Sequence, residues 1–364
     1  MPHFEVTYEI YGNEARTIAE AIRVEQTIEF PIELAPEWIQ HEVVGDILAI
    51  TPTTTGMSLV NISYDVRTTG YQLPQFLNVL WGNVSLFKGV RVIGLQLPRD
   101  FASNFKGPRF GIGGLRKYFD APSRPLMATA IKPMGTDSKG FAAIASTLAR
   151  AGFDIIKDDH SLANQPWAPW RERVARVSDA VNKSNEQTGY KTVYAPSLNL
   201  PTNEILQAAV EAKNLGAGAL MMLPGVTGFD SMRSVADNDE VALPIMSHPS
   251  MLGSFVSNPT QGLAHGLLLG TIMRLAGADI SVFPNFGGRF SFTHQECQEI
   301  TEASRADLSE LKSIWVSPAG GMTLEKIPEM RAFYGEDITL LIGGALHRGS
   351  LFENSSAMRR AIAD

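Results

Sequence analysis

The 364 residues are 44% hydrophobic and 19% charged, ordinary for a globular chain and enough for one large domain or two smaller ones. A net charge of −7 leaves no basic footprint for nucleic acid or an anionic membrane surface, although a local cluster of Lys, Arg and backbone N–H groups can still hold a small anion. The single cysteine, Cys297, excludes an internal disulfide and a cysteine-based zinc site. Met1–Val6 lacks the charged and apolar regions of a signal peptide, and no apolar run approaches the ~20 residues needed to span a bilayer. A soluble cytoplasmic protein is expected.

The first hundred residues read as an α+β unit. Phe4–Tyr11 alternates like a strand, and Glu14–Val24 has helical spacing with Ile18, Ala21 and Ile22 on one face. Glu42–Thr51 and Ser58–Asp65 predict strands, Leu73–Trp81 a helix and Gly89–Leu97 a strand. Phe101–Gly114, rich in Gly, Pro and basic residues, reads as a linker. Beyond it eight short apolar runs recur: Leu126–Lys132, Phe153–Asp159, Thr192–Ser197, Ala219–Pro224, Leu243–His248, Ile280–Phe286, Ile314–Ala319 and Ile338–Gly344. Helical segments lie between them, including Phe141–Ala151, Trp170–Glu186, Asn203–Leu215 and Leu263–Ala276, and Phe352–Ala363 is the last. Eight strand–helix alternations in about 250 residues predict a C-terminal (β/α)8 TIM barrel over 114–364, preceded by a smaller α+β N-terminal domain over 1–113. A doubly wound sheet would call for G-x-G-x-x-G after the first strand, and none is there.

In a barrel, chemistry belongs at the C-terminal strand ends. Those ends carry Lys132, Lys157, Asp159, His160, His248, Arg289, Gly320-Gly321 and Gly343-Gly344. On a strand Lys157 and Asp159 point the same way and His160 begins the loop. An Asp oxygen beside a His nitrogen suits a divalent cation, and a lysine offers an oxygen ligand only as a CO2-derived carbamate. A surface Lys–Asp salt bridge is the bland alternative. Lys132, ending an apolar strand, reads either as a proton-transfer amine or as a fixed cation. The paired glycines match a barrel phosphate site or, equally, tight turns. Arg289, behind Gly287-Gly288, reads as a mobile-loop cation. His248 reads as a proton relay or substrate partner, and His265 as a core histidine with a weaker functional reading. His3, His41, His294 and His347 are assigned no role, and Met221-Met222 is read as core.

These residues, in this order, resemble the RuBisCO large subunit and, more closely, the RuBisCO-like proteins of its fourth form. Phe105–Ile112 resembles the family's F-x-G-P-x-x-G-I, Ile131-Lys132-Pro133 its I-K-P-K, and Lys157-Asp158-Asp159-His160 its K-D-D-E. Gln165-Pro166-Trp167 with Trp170-Arg171-Glu172-Arg173 is similar to Q-P-F…W-R-D-R, Gly82-Asn83-Val84 to G-N-V, and, more loosely, Ala21–Thr27 to A-A-E-S-S-T. The resemblance implies a homodimer with head-to-tail active sites, Glu25 and Asn83 of one subunit reaching over the barrel mouth of the other. It implies Mg2+ held by carbamylated Lys157, Asp159 and His160, with Lys132 in proton transfer and His248 in the active site. It further implies His265 near the far end of substrate, Arg289 at the loop lysine's position, and a phosphate on Gly321, Gly343 and Gly344.

Departures from the family pattern redirect the expected chemistry. His160 stands at a glutamate, Met134 at the second lysine of I-K-P-K, and Pro249 and Ala319 where the second phosphate site has arginine and serine. A monophosphate with an apolar far end is therefore expected, and CO2 fixation is not. What survives is enolisation, a Mg2+-assisted loss of an α-proton from a ketone. The favoured expectation is isomerisation of 5-methylthioribulose 1-phosphate in sulfur salvage. The alternatives are the salvage 2,3-diketo-5-methylthiopentyl-1-phosphate enolase and decarboxylation of a 3-oxo sugar-acid phosphate of the 3-oxo-isoapionate 4-phosphate type. A non-catalytic sensor or scaffold that kept the fold and lost the chemistry is a further reading, against which Lys132, Lys157 and Asp159 count.

Overall fold

The computed structural model describes residues 2–54, 56–288, 290 and 292–363, so Arg289 lies outside the described residues. The chain divides into two compact units. One is Met1–Lys106 with Met251–Leu268 and Asp307–Leu311; the other is Gly107–Ser250 with Leu269–Ala306 and Lys312–Asp364. Two later segments thus pack with the first unit, which a single cut after residue 113 does not anticipate.

In the first unit β1 (His3–Tyr11), β2 (Asp46–Thr54), β3 (Met57–Asp65) and β4 (Val90–Gln96) form an antiparallel sheet. Strand alternation buries Phe4, Val6, Tyr8 and Ile10 on one face. Phe4 there meets the rings of Tyr64, Phe76 and Phe101 at centroid distances of 5.4, 5.4 and 6.1 Å. The helix Ala15–Glu25 buries Ala15, Ala19 and Ile22, a spacing of four and three that makes one stripe. The strand expected from Glu42 begins at Asp46, and Glu37–Glu42 is helical instead. Helices Arg99–Ala102 and Gly111–Phe119 occupy both ends of the expected linker.

The helix expected over Leu263–Ala276 is present over 265–275, and only its start departs. Gly262–Leu263 adds to the first sheet as β10, parallel to β4, and the Ala264 N–H donates to the Val92 carbonyl at 2.8 Å. Helix follows from His265, with a wider-wound middle at Leu267–Ile272 and a last turn at Met273–Leu275. The open edge of β4 offers hydrogen bonds that the local helical pattern cannot foresee. Gly262, at φ +115°, lets the chain turn there, and a Cβ would meet the Phe255 carbonyl.

The second unit is an eight-stranded parallel sheet of β5 (Leu126–Ile131), β6 (Ile155–Asp158), β7 (Val193–Ala195), β8 (Leu220–Met222), β9 (Ile245–Ser247), β11 (Ile280–Pro284), β12 (Trp315–Ala319) and β13 (Thr339–Ile342). Each lies within one of the eight apolar runs. The order is β7-β6-β5-β13-β12-β11-β9-β8, and a Ser197–Met221 bridge joins its two ends. The Met221 N–H donates to the Pro196 carbonyl and the Leu198 N–H to the Met221 carbonyl, each at 2.9 Å. The sheet is therefore a closed barrel.

The core cluster contains Leu126, Ala128, Ile155, Ala195, Met246, Val282, Trp315 and Leu341. Counting on by twos from these positions arrives at Lys132, Lys157 and Asp159, Ser197, His248, Pro284, Ala319 and Gly343. The two-residue period that fills the barrel with apolar side chains thus aims the chemically capable ones at its mouth.

At the opposite ends of the strands, fully buried Asp279 accepts the backbone N–H groups of Phe110 (2.7 Å), Gly111 (2.9 Å) and Ile245 (3.1 Å). Burial pushes its carboxyl up to about 6 although all three N–H bonds favour the charged form. Asp279→Ala leaves three backbone donors unmet, two of them buried, and should destabilise the fold by roughly 3 kcal/mol or more, read as a lower urea midpoint. Its folded pKa exceeds the unfolded one, so its proton-linked stability is fully present below about pH 4 and fades as pH rises through 6. Asp279→Asn should remove that part of the stability–pH profile.

Candidate active site

The mouth is built outward from Asp158, whose side chain points away from it. Asp158 is fully buried and accepts from Arg173 Nε (3.3 Å) and Nη2 (3.1 Å), the Tyr194 hydroxyl (2.6 Å) and the Ser197 N–H (3.0 Å). Arg173, itself buried on the helix Trp170–Thr188, also donates to the carbonyls of Ala168 (2.7 Å) and Ala163 (2.8 Å). With Asp158 held outward, Lys157 and Asp159 must face inward.

There Lys132 Nζ lies 3.2 Å from Asp159 Oδ1, and His160 Nδ1 lies 3.6 Å from Asp159 Oδ2. The Ser161 hydroxyl donates to the same Oδ2 at 3.0 Å. Burial would raise the Asp159 pKa, but the charges of Lys132 and Lys157 hold it below the usual carboxylate range. Lys157 Nζ donates to the Asp158 carbonyl at 3.0 Å and to Met221 Sδ at 3.3 Å. Burial pushes its amine down to about 8, with Lys132 adding to the shift and Asp159 opposing it.

His160 stacks on His248, centroids 4.9 Å apart and planes 4° from parallel. Burial first, then the positive charge of Lys157, pushes His248 down to about 2. His248 is thus a neutral imidazole. Its Nδ1 accepts the Ser250 N–H at 3.3 Å and lies 2.9 Å from the Ser250 hydroxyl, which leaves the proton on Nε2. With its proton on Nε2, the ring can donate a hydrogen bond from that nitrogen.

Gly320 and Gly321 follow β12 with φ of +97° and +68°, and Gly343 and Gly344 follow β13. A Cβ on Gly320, Gly343 or Gly344 would meet nothing within 4 Å, so packing does not require glycine there. The N–H groups of all four donate to no acceptor among the described residues. Backbone donors without acceptors suit an oxyanion.

The remaining candidates lie in the first unit. Asn83 Nδ2 donates to Glu25 Oε1 at 2.8 Å, an exposed pair made by residues 58 apart, and His265 is buried. Three participants escaped the sequence reading. Ser161 is one. Met221, taken for core alone, is buried and also touches Lys157. His347, assigned no role, sits on the short helix Gly344–His347, where partial burial and then the Lys132 charge lower its pKa. A residue before or after a motif carries no mark of such neighbours.

Among the described residues no group of three or more His, Cys, Asp and Glu assembles a metal site. Asp159 Oδ2 and His160 Nδ1 are close to the roughly 3 Å that separates neighbouring ligands around a small divalent cation. The remaining protein donor would be Lys157, as a carbamate oxygen. On that condition the donor set fits a divalent cation.

A closed (β/α)8 barrel with lysines, a carboxylate, paired imidazoles and bare glycine N–H groups at its C-terminal mouth defines an enzyme-type site for a small anionic substrate. Residues 111–362 match the ribulose bisphosphate carboxylase large chain, catalytic domain. The chain belongs to this family, among its RuBisCO-like proteins. It is 34% identical over 364 residues to a 5-methylthioribulose-1-phosphate isomerase of Rhodospirillum rubrum, covering 98% of this chain and 95% of that protein. It is 32% identical over 343 residues to a 2,3-diketo-5-methylthiopentyl-1-phosphate enolase of Bacillus pumilus, covering 92% and 84%. A crystal structure of a Rubisco-like protein from Rhodopseudomonas palustris superposes with a TM-score of 0.91 at 33% identity, covering 100% of this chain and 98% of that one.

Arg173→Met should leave Asp158 as an unpaired buried charge, costing about 3–5 kcal/mol in chemical denaturation. A double replacement, Asp158→Leu with Arg173→Met, should recover much of that loss; if it does not, the pair itself is what stabilises the strand.

Proposed function

We propose that this chain enolises a phosphorylated ketose, with isomerisation of 5-methylthioribulose 1-phosphate as the favoured reaction. The observation that carries the reading is Lys132 Nζ set against Asp159, in one mouth with neutral His248 and the bare glycine N–H groups. The N–H groups of Gly320, Gly321, Gly343 and Gly344 take the phosphate, which fixes the carbonyl end of the sugar. Lys132 Nζ, as the free amine, takes the proton from the carbon beside the carbonyl and becomes the ammonium, and the C–H electron pair becomes the C=C bond while the carbonyl electrons move onto oxygen. The His248 Nε2–H donates to that oxygen, and positively charged Lys157 adds field stabilisation where it is not carbamylated. Return of the proton from Lys132 to the former carbonyl carbon, with the hydroxyl proton passing to the former carbonyl oxygen, transposes carbonyl and hydroxyl, an isomerisation with no net loss of atoms.

Asp159, His160 and carbamylated Lys157 would hold Mg2+, which when bound supplies Lewis-acid polarisation of the carbonyl. Pro249 and Ala319 offer no side-chain donors for a second phosphate, and Met134, 45% exposed, gives the mouth an apolar neighbour. A monophosphate with an apolar tail suits that lining. Glu25 and Asn83 are assigned to the mouth of a partner subunit in a head-to-tail homodimer, with His265 toward the far end of the substrate and Arg289 on the loop after Gly288. The salvage enolase is the second reading, favoured by the 32% identical relative of that name.

Lys132→Ala should reduce solvent deuterium incorporation into 5-methylthioribulose 1-phosphate by about 10²-fold or more, as expected for loss of a general base. Retained exchange removes Lys132 as the base. Product NMR separates the isomer from an enol, and CO2 release from a 3-oxo acid phosphate would mark a decarboxylase instead. Chelation should abolish exchange and added Mg2+ restore it. A carbamate signal from 13C-bicarbonate should be present in the wild type and absent from Lys157→Met.

A further inference from the structure

One cation at the barrel mouth has no part in the chemistry described above. Lys326 ends the short helix Leu324–Lys326, between β12 and the helix Ile327–Tyr334. It is half-buried, and its Nζ lies 3.7 Å from the point a Cβ on Gly321 would occupy. That same point is 3.7 Å from the Gly288 Cα and 3.8 Å from the Gly287 carbonyl oxygen, so the ammonium sits over a bend made only of glycines. Lys326 forms no ion pair among the described residues. Its chain neighbour Glu325 forms no ion pair with it; the Glu325 carboxylate accepts instead from the Thr323 side chain and from its own N–H, which hold its pKa down.

A half-buried lysine without a carboxylate partner, beside glycine N–H groups that donate to no acceptor among the described residues, makes a set of donors that one partner can share. An oxyanion satisfies all of them at once. Gly321 at φ +68° brings its backbone close under the ammonium, and Gly320, Gly343 and Gly344 leave their space open. We propose that Lys326 is a phosphate ligand, supplying the charge that the glycine N–H groups lack and selecting a dianionic phosphate monoester at this end of the mouth. This rests on the reading that the glycines at the ends of β12 and β13 hold the substrate's phosphate. The role is binding and specificity, not proton transfer, since Lys326 acts on the non-reacting end of the substrate.

The test uses the full-length protein and inorganic phosphate, with binding followed by calorimetry or 31P NMR. Lys326→Met should weaken phosphate binding by about 10- to 100-fold, the range of one charge-assisted hydrogen bond, while Lys326→Arg keeps most of it. With the phosphorylated ketose, Lys326→Met should raise KM and leave kcat nearly unchanged, the signature of a contact equal in ground and transition states. The urea midpoint should stay at the wild-type value, because Lys326 has no intramolecular ion pair to lose. Lys183→Met, which removes a surface lysine paired with Asp179, is the control for overall charge. The proposal is overturned by wild-type affinity in Lys326→Met, by an equal loss in Lys183→Met, or by a wild type that binds no phosphate. Lys132→Ala should still bind phosphate while losing deuterium exchange, so failure of the phosphate ligand and failure of enolisation are read separately.

Discussion

The buried Asp158–Arg173 pair is the constraint from which the mouth is hung. Both side chains are fully excluded from solvent, and Tyr194 and the Ser197 N–H complete the coordination of the carboxylate. Such a pair gains little in net stability over apolar packing, but it cannot be half-kept, because either charge alone is far worse. What it fixes is orientation. A strand that holds residue 158 outward has no choice about 157 and 159. The helix bearing Arg173 is tied in the same way to the loop of Ala163 and Ala168 that follows the strand. Strand end, loop and helix are therefore one unit, and the loop carries His160 and Ser161.

On the inner side the charges are matched less evenly. Lys132 and Lys157 share the single carboxylate of Asp159, and His160 and His248 stack beside it. Burial alone would disfavour Lys157 as an ammonium, and the nearby Lys132 disfavours it further, which is why its amine falls to about 8. Burial first, and then the charge of Lys157, keep His248 neutral. A mouth with surplus positive potential and one occupied carboxylate is poised for negative charge that arrives with a substrate or develops during a reaction.

Much of this was legible in the sequence because two periods suffice for it. The strand period places Leu126, Ala128, Ala130 and Lys132 on one line, and the eight apolar runs coincide with the eight barrel strands. Motif order around Lys132 and Lys157 then separates this barrel from others. The misreadings share one cause, which is that the deciding partner is distant in sequence. Leu263–Ala276 has a helical pattern, yet its start is claimed by the edge of β4, about 170 residues earlier. Met221 reads as core, and it is, until β8 meets β6 and its sulfur reaches Lys157. His347 and Lys326 lie in ordinary polar stretches, and only the turns after β12 and β13 bring them to the mouth.

The asymmetry of the mouth limits what can be processed there. At the ends of β12 and β13 the backbone presents uncovered N–H groups, a demand for acceptor oxygens that an apolar group would leave unmet. At Pro249 and Ala319 no side chain can donate, so an ion placed there would give up its hydration without replacement. A substrate charged at both ends is therefore penalised at one of them, whereas a ligand charged at one end only is oriented by the difference. In the proposed reaction, orientation would decide which carbon faces Lys132, and hence which C–H bond would break. On the proposed reading, the absence of side-chain donors at one end would set the direction in which a monophosphate lies across Asp159 and Lys132.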